Sequence, residues 1–467
     1  MRRSLLGILL VVTIAGFALV DRYSSAEPPL PVADTPAHPG GVWACPIVKM
    51  EGFAGYIHLL NSGPDSSIVR ITYVPDGRKP IERAITVGAG RTTTIGTPGS
   101  ILPVAAGAIL QYAGGSITAS RTALFGGAAG AAACTRPGAA TVFVPQGSTL
   151  KAETELAILN PTADDAVVDI ALLQNGEPLR PQLLTGRVIP AGSRLVLREG
   201  DFAFDLRTVG AEITSSTGRV AVDGALVAPA TVDIVPGAPA GREVATVANN
   251  ARGEAWFSVV AVGQDDAVTT SRVLTSQGPT TFGPLVTGLA PERPLFTKAA
   301  STTRGPLALH VLSATSPVAI GARWQIVTAG GAADWAVSSG VVPSRDVLAV
   351  VGSPATPAAT RLLVTNPDPK EAIVGVTVFT ERGPSRPTQL QGVHIAPGRT
   401  IALSFSGLAQ NATVGVDVRS TGGAVVAVLE STTTRPVFGA YAITAAPVIS
   451  SLPVAVVPDA RQGVPAP

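Results

Sequence analysis

The sequence predicts an all-β protein built from similar modules in tandem, on three observations. Gly and Pro contribute 50 and 40 of the 467 residues, which disfavours long helices because both destabilise a helix interior. Apolar and polar residues alternate in several runs, as where Val414, Val416 and Val418 enclose Gly415 and Asp417, which is the period of a half-buried strand. Short motifs also recur with a period of about 100 residues, which indicates internal duplication.

Composition excludes two broad classes of protein. Hydrophobic residues make up 46% of the chain and charged residues only 14%, so the chain is too apolar to be disordered. The formal net charge is +2 and the basic residues are scattered. The chain therefore lacks the clustered basic residues of a nucleic-acid binder, and we expect no nucleic-acid partner.

Three landmarks carry the repeat. The first is the end of an apolar run, followed by a new strand, at Asn61, Asn160, Ala261 and Asn366. The second is a tight turn about 30 residues further on, rich in the Pro and Gly that such turns need, at 89–91, 191–194, 290–293 and 396–399. The third is a small apolar strand after a polar turn, beginning at Ile117, Val220, Val318 and Val425. Because order and spacing agree, the sequence predicts four homologous modules.

The module size and the short strands are typical of an immunoglobulin-like β-sandwich. We expect four such modules in tandem after an N-terminal signal or anchor helix, at 42–137, 138–235, 236–342 and 343–455, with residues 456–467 as a C-terminal tail. The third module is degenerate because it lacks the Asn and the Pro of the first landmark. A module of about 100 residues can bury its own core, so the array is free to project as a rod. The Gly- and Ala-rich stretch 126–133 is interpreted as a flexible connection, with a small-residue packing surface as the alternative.

The N-terminus carries an export signal. Arg2 and Arg3 precede an uncharged apolar run at 5–20, which is the pattern of a signal peptide. As a helix this run is about 24 Å long, less than the ~30 Å hydrocarbon core, which favours a cleavable signal at 1–26 and leaves a tilted signal-anchor open. Residues 27–41 form a Pro-rich spacer. We expect an extracytoplasmic protein, either secreted or anchored to the plasma membrane by the N-terminal segment.

The two cysteines are Cys45 and Cys134. They lack the close spacing of a zinc site. In an exported chain they are expected to form one disulfide that ties together the two ends of the first module, with two free buried thiols as the alternative.

The sequence contains no convincing catalytic motif, so we expect no catalytic, cofactor-binding or metal-binding residues, no cofactor, and no enzymatic activity. The acidic pairs Asp164-Asp165 and Asp265-Asp266 fall at equivalent hairpin turns, where Asp is favoured. A weak calcium site is the alternative interpretation of these pairs. The four histidines are expected to be ordinary strand or surface residues.

The tryptophans are the candidates for ligand binding. Trp256 and Trp324 lie in strand-like runs, where burial is expected. Trp335 follows Asp334 in a Gly- and Ala-rich segment that we interpret as a loop. Trp335 is therefore the candidate surface aromatic for a ligand.

Several of these features occur together in one known family. The short apolar N-terminus, the Pro-rich spacer, Cys45 after Trp43, the Asn-Pro pairs at 160–161 and 366–367 and the turn at 396–399 resemble an uncharacterised family of exported, often membrane-anchored actinobacterial envelope proteins. The resemblance implies a cell-envelope location and tandem β-sandwich repeats, and it carries no activity.

The expected function is therefore that of a non-enzymatic extracytoplasmic cell-envelope protein. It would act as a scaffold or binding module for an envelope protein or polysaccharide, with the membrane as a further partner if the N-terminal helix is retained. The alternative is an enzyme or accessory subunit that acts on cell-wall glycans. That alternative predicts a polar cleft with carboxylates where two modules meet.

Overall fold

The computed structural model of the protein describes residues 40–97, 102, 104–114, 116–125, 128–150, 152–174, 176–228, 231–251, 253–263, 265–299, 304–327, 333–352, 356–405, 413–435 and 439–447. These residues form an all-β fold with three short 3₁₀ turns, Gln182–Leu184, Glu199–Asp201 and Thr388–Leu390. None of the helical segments among them is long and apolar enough to cross a membrane. The predicted signal or anchor segment and the C-terminal tail lie outside the described residues.

The strands fall into four sets in chain order. The first set is β1 Gly40–Lys49, β2 Ala54–Asn61, β3 Ser67–Pro75, β4 Ile81–Val87, β5 Arg91–Thr97, β6 Ala106–Ala113, β7 Ile117–Phe125 and β8 Ala128–Ala133. The second is β9 Thr141–Gly147, β10 Glu153–Leu159, β11 Ala166–Leu173, β12 Arg187–Ile189, β13 Arg194–Arg198, β14 Val209–Thr217, β15 Ala221–Ala228 and β16 Thr231–Pro236.

The third set is β17 Glu243–Asn249, β18 Ala255–Ala261, β19 Ala267–Thr275, β20 Gly278–Leu289, β21 Leu295–Lys298, β22 Pro306–Ser313, β23 Val318–Val327 and β24 Ala333–Ser339. The fourth is β25 Asp346–Gly352, β26 Thr356–Asn366, β27 Ala372–Thr380, β28 Gly383–Ser385, β29 Val393–Ile395, β30 Arg399–Ser404, β31 Thr413–Gly422, β32 Val426–Arg435, β33 Gly439–Thr444 and β34 Ala446–Pro447.

One sheet topology recurs in all four sets. Antiparallel sheets pair into sandwich-like modules, one sheet with the order first-sixth-third-fourth strand and the other with the order fifth-second-seventh-eighth. The fourth set splits its fourth strand into β28 and β29 and adds β34. A single parallel bridge from Thr275 to Arg399 joins a sheet of the third module to a sheet of the fourth. We refer to these sets as the first to fourth modules; the residue boundaries predicted above stay predictions.

The pairing shares its centre with an immunoglobulin sandwich. The second strand pairs with the fifth and the third with the sixth, which are the central pairs of the immunoglobulin order. The edges differ, because the seventh strand pairs with the second instead of the sixth, and the first strand pairs with the sixth. The core of each module lies between its two sheets, as where Val168 and Ile170 pack with Leu156 and Ile158.

The recurring Asn of the sequence ties three parts of a module together. Asn160 is fully buried; its Nδ2 donates to the carbonyls of Asp164 at 2.8 Å and Ile189 at 2.9 Å, and its Oδ1 accepts from the amide of Thr162 at 3.0 Å. Asn61 and Asn366 make the same three kinds of contact in their own modules. The Asn side chain therefore supplies hydrogen-bond partners to backbone groups in the turn after the second strand and at the end of the fourth strand.

The eighth strands β8, β16, β24 and β33 lie against one another in a closed cycle. Each contributes side chains to cores shared with both neighbouring modules: Ala132 with Ile234, Val235 with Val337, Ala336 with Ala442, and Ile443 with Ala131. Many of these side chains are small, which lets the strands approach closely. The described residues from 40 to 447 therefore form a ring of four modules, where the sequence alone permitted a rod.

The tight turn of each module contacts the hairpin between the third and fourth strands of the preceding module. In ring order the pairs are Arg194 with Asp76, Arg293 with Glu177, Gly398 with Pro279, and Gly90 with Pro384. The last pair joins the first module to the fourth. The second sequence landmark is thus a turn and also a junction between modules.

A buried polar contact crosses every junction. Arg121 pairs with Asp223 between the first and second modules, Asp233 with Arg323 between the second and third, and Trp324 with Glu430 between the third and fourth. Thr122 donates to the carbonyl of Gly352 at 3.0 Å and closes the ring between the first and fourth modules. Each contact removes polar groups from water, so each requires its partner to be in place.

The structure changes two of the interpretations that were made from the sequence. Residues 128–133 form the strand β8, and Ala129, Ala131 and Ala132 are buried, so this part of the Gly- and Ala-rich stretch is a packing surface and not a flexible connection. Gly126 and Gly127 lie outside the described residues. Trp335 lies on the strand β24 and not in a loop.

The structure pairs Cys45 with Cys134 in a disulfide, with 4.7 Å between the two Cα atoms. Cys45 lies on β1, and Cys134 follows β8 directly. The disulfide therefore joins the first and last strands of the first module, as the sequence predicted.

Candidate functional site

A cleft of about 290 Å³ lies where the second module meets the third. We call it the junction cleft, and it is lined by residues of both modules: Gln146, Gly147, Arg207, Thr208, Leu226 and Val235 from the second, and Glu254, Trp256, Phe296, Arg323, Trp335 and Val337 from the third. The lining combines aromatic, aliphatic, amide and charged side chains. Such a mixture in a concave site is the usual composition of a ligand-binding surface.

Successive side chains of a strand point to opposite faces of the sheet, and this places side chains of the third module in the cleft. On β18, Phe257 faces the core of its own module, whereas its neighbours Trp256 and Ser258 face the second module. On β23, Trp324 is fully buried in the core and Arg323 faces the cleft. Trp256 and Arg323 are cross-strand partners, so their side chains lie next to each other on one face of the sheet.

Trp335 is held by a cation and a buried carboxylate. The Arg323 guanidinium lies 4.3 Å from the centroid of the Trp335 ring, within the range of a cation–π interaction. The same guanidinium donates to Asp233 Oδ2 at 2.9 Å. Burial raises the pKa of Asp233 to about 6, and Arg323 opposes that shift. Trp335 is half-buried, so its ring is fixed in place and still reaches the cleft.

Trp256 is held in a similar way at the other side of β23. Its Nε1 donates to Glu254 Oε2 at 3.3 Å, and Lys298 Nζ lies 5.7 Å from its ring centroid. Lys298 and Glu254 form an ion pair, and the hydrogen bond from Lys298 lowers the pKa of Glu254. Trp256 is half-buried. The cleft thus presents two tryptophans, each with a cation beside its ring.

A second, polar depression adjoins the junction cleft. It has a volume of about 300 Å³ and is lined by Asn250, Gly253, Glu254, Ala255, Lys298, Ala299, Arg304 and Gln325. Glu254 lines both hollows. The two hollows are therefore neighbours on either side of this side chain.

The lining offers aromatic surfaces, amide and charged groups, and one carboxylate. Sugar rings offer apolar faces that stack on aromatic rings and hydroxyl groups that hydrogen-bond to amides and charged side chains. A glycosidase needs two carboxyl groups on either side of the scissile bond. Among the described lining residues Glu254 is the one carboxylate, and its partner is Lys298.

A buried carboxyl group lies just behind the cleft wall. Glu199, in the 3₁₀ turn Glu199–Asp201, is 1% exposed and packs close to Gly147 and Thr154. Burial raises the pKa of Glu199 to about 8, against a smaller opposing effect of the nearby Thr154 hydroxyl, which itself donates to the Ser148 carbonyl at 2.9 Å. Glu199 is therefore predominantly a neutral acid at pH 7.

The other sequence candidates do not converge on a site. His58 is fully buried, bonded to Thr94 and Thr122 at 2.9 Å each, and burial lowers its pKa to about 3. His310 lies 3.2 Å from Glu243, and burial lowers its pKa. No group of acidic, His or Cys side chains among the described residues is arranged to hold a metal ion.

The acidic pairs act in turns. Asp165 accepts a hydrogen bond from the Ala191 amide at 3.0 Å, and the carbonyl of Asp266 accepts from Thr315 at 2.8 Å. Trp43 is buried and donates to the Ile117 carbonyl at 2.8 Å. The sequence did single out Trp335, which lines the cleft, but it missed Trp256, because burial was expected for a strand tryptophan. The alternation of Trp256 with Phe257 was the available signal.

The fold and the cleft define an all-β protein of sandwich-like modules with a ligand-sized hollow between two of them. Residues 107–344 and 300–458 match a family described as a family of unknown function, DUF5719. Together the two segments cover well over half of the chain, so the chain belongs to the DUF5719 family.

Comparison with curated proteins gave no match. Among solved structures, a tetra-tandem repeat from the extending region of a large adhesion protein aligns at 12% identity over 86% of this chain and 98% of that chain, with a TM-score of 0.12. A Streptomyces avermitilis alpha-L-rhamnosidase complexed with L-rhamnose aligns at 10% identity over 78% of this chain and 55% of that chain, with a TM-score of 0.11. Likenesses this weak carry no argument about fold or function.

Proposed function

We propose that the protein is a non-enzymatic extracytoplasmic cell-envelope protein that binds an envelope polysaccharide in the junction cleft. Its four modules, related to immunoglobulin sandwiches through their central strand pairs, act as the scaffold. The observation that carries the proposal is the placement of Trp256 and Trp335 in one cleft, each with a cation beside its ring.

The chemistry of the cleft supports a saccharide ligand. Indole rings offer flat apolar surfaces at low cost in side-chain entropy, and their cations keep them in one orientation. Arg207 supplies hydrogen-bond donors on the opposite wall, where the Gln146 amide is held by the Trp256 carbonyl and the Ser258 hydroxyl at 3.5 Å each. The adjoining polar depression gives a chain of sugars room to continue beyond the tryptophans.

An extracytoplasmic location rests on two features. Disulfides persist in oxidising compartments, and Cys45 and Cys134 form one in this protein. The charged and apolar pattern of residues 1–26 has the features of a signal or anchor. The resemblance to exported actinobacterial envelope proteins points in the same direction.

The proposal is tested by binding of a purified envelope polysaccharide fraction, measured by calorimetry. We expect Trp335→Ala and Trp256→Ala each to weaken binding by about tenfold, equivalent to ~1.4 kcal/mol. Phe204→Ala is the matched control, because Phe204 is 73% exposed and does not line the cleft, and it should bind as the native protein does.

Other results of the same experiment would overturn the proposal. Equal binding by all three variants would place the ligand elsewhere on the protein. Release of shorter glycans during the titration would favour the enzymatic alternative, in which Glu254→Gln would abolish the release. Binding only of envelope proteins, unaffected by the tryptophan variants, would identify a protein-binding scaffold without a saccharide site.

A further inference from the structure

A second cavity, which shares no lining residue with the junction cleft, lies where the ends of the four modules meet. We call it the axial cavity; its volume is about 300 Å³. Every module contributes to its wall through the chain around the end of its eighth strand, as at Ala133, Pro236, Ser339 and Thr444. The cavity therefore exists only when the ring of modules is closed.

The walls of the axial cavity are largely apolar. Val142, Val220, Val222 and Ala445 are buried and line it, together with further alanine and proline residues. Arg136 is the one charged residue among the described lining residues, and no carboxylate lines the cavity there. The electrostatic character of the cavity is consequently that of an apolar hollow with one positive charge.

Arg136 is fixed at this wall. Its guanidinium lies 4.5 Å from the centroid of the Trp43 ring, and it hydrogen-bonds to Tyr112 and lowers the pKa of that phenol, against the larger effect of burial, which raises it. Arg136 is half-buried and forms no ion pair with a carboxylate among the described residues. An anion that enters the cavity would find this charge already oriented.

Thr444 supplies the second polar group. Thr444 lines the cavity and is 7% exposed, and its hydroxyl is buried and has no hydrogen-bond partner among the described residues. A buried hydroxyl without a partner is unfavourable, and native structures rarely keep one without a reason. A rotation of the Thr444 side chain toward the cavity would offer this hydroxyl to a ligand oxygen.

We propose that the axial cavity binds an amphipathic anion, a carboxylate on a short unbranched alkyl chain. The alkyl chain would lie against the valine and alanine walls, and the carboxylate would accept hydrogen bonds from Arg136 and Thr444. Because the ligand would touch all four modules, binding would stabilise the closed ring by the ordinary linkage between ligand binding and folding. This site is independent of the saccharide proposed for the junction cleft.

The experiment uses decanoate as the probe and the full-length protein, with calorimetry for affinity and thermal unfolding for stability. We expect decanoate to bind with one-to-one stoichiometry and to raise the midpoint of unfolding. Decylammonium, of equal chain length and opposite charge, should bind at least tenfold more weakly. Equal binding of the two probes would show that Arg136 does not select the charge and would overturn the proposal.

Two glycine variants locate the site. Gly138 lines the cavity, has no positive φ, and has open space where a Cβ would lie. Gly138→Leu should therefore fill part of the hollow and lower the affinity for decanoate at least tenfold. Gly200→Leu is the matched control, because Gly200 also has open space at its Cβ and lies outside the cavity. Unchanged affinity of Gly138→Leu would overturn the assignment.

Thr444→Val separates a ligand-binding hydroxyl from a structural one. Removing an unpartnered buried hydroxyl should raise the unfolding midpoint of the ligand-free protein, while decanoate affinity falls about tenfold. A lower midpoint with unchanged affinity would show that Thr444 serves the fold alone. If decanoate does not bind the native protein at concentrations up to the millimolar range, the proposal as a whole is contradicted. That result would not bear on the junction cleft.

Discussion

Gly352 of the fourth module lies directly against His58 of the first, 294 positions away in the chain. A Cβ atom at Gly352 would overlap the His58 imidazole, and that imidazole is fully buried and held by Thr94 and Thr122. The Gly352 carbonyl accepts from Thr122 in the same place. The two ends of the array therefore meet at a contact that only glycine permits.

The first prediction concerns this contact. Gly352→Ala should lower the free energy of unfolding by about 1–3 kcal/mol, because an overpacked interface must shift to admit the extra methyl group. Chemical denaturation followed by circular dichroism measures the change. Gly375→Ala is the control: Gly375 lies in the same module, and its nearest neighbour is the flexible Gln391 side chain at 3.2 Å. Equal stability of the two variants would argue against a tightly packed closure.

The second prediction concerns the buried ion pair of Arg121 and Asp223. Both side chains are 0% exposed, with 2.5 Å between the paired atoms. Arg121→Met should destabilise the protein by about 3–5 kcal/mol, because it leaves the Asp223 carboxyl buried without its cation.

The double variant with Asp223→Leu should recover most of that loss, since no charge then remains in the interface. Arg198→Met serves as the control, because Arg198 is 60% exposed and its ion pair with Glu153 lies in solvent; its effect should be within about 1 kcal/mol. A loss in the double variant as large as the sum of the single losses would show that the two residues do not depend on each other.

The third prediction is a pH dependence caused by Glu199. Its pKa is raised from about 4.5 to about 8 by burial, so the folded protein holds a proton that the unfolded chain releases between these values. The contribution of Glu199 to stability is therefore complete below pH 4.5 and is lost as the pH rises toward 8. Glu199→Gln should be close to the native protein in stability at pH 4.5 and more stable at pH 8. Denaturation curves at the two pH values measure this, and an equal difference at both would refute it.

The fourth prediction concerns the recurring asparagine. Asn160→Ala should cost about 2–4 kcal/mol, because it removes the side-chain hydrogen bonds to the Ile189 carbonyl, the Asp164 carbonyl and the Thr162 amide in a buried turn. Gln174→Ala removes a single exposed hydrogen bond to Glu177 and should have little effect. Similar losses in the two variants would mean that the Asn marks the repeat without supporting it.

The sequence predicted the parts of the fold that local chemistry decides. Asn, Pro and Gly at turns have conformational and hydrogen-bonding roles that do not depend on distant residues. The landmarks and the all-β class could therefore be predicted from the sequence. The disulfide of Cys45 with Cys134 was accessible for a similar reason, because the repeat placed both residues at the ends of one module. The strand order at the module edges could not be predicted. Edge strands have similar patterns of apolar and polar residues, so the sequence does not show which strand each of them pairs with.

The ring was not predictable from these patterns. Gly352 and Gly415 resemble ordinary strand glycines, and only the distant His58 and Leu60 explain why a side chain would not fit there. The strand β8 was misjudged because alanine and glycine have low strand propensity, which packing from two neighbouring modules overrides. Trp256 was missed because β18 is covered on both faces, one by its own core and one by the preceding module, so the usual contrast between faces is weak.

Closure of the ring is the central claim about the fold and the one on which the axial cavity depends, and an engineered disulfide tests it most directly. The hydroxyl groups of Thr94 in the first module and Thr413 in the fourth are in hydrogen-bond contact. Thr94→Cys combined with Thr413→Cys should therefore give an intramolecular disulfide at nanomolar protein concentration, seen as faster migration on a non-reducing gel. Thr94→Cys with Thr297→Cys, on the third module, should stay unlinked. Two free thiols at positions 94 and 413 under oxidising conditions would mean that the modules form an open array.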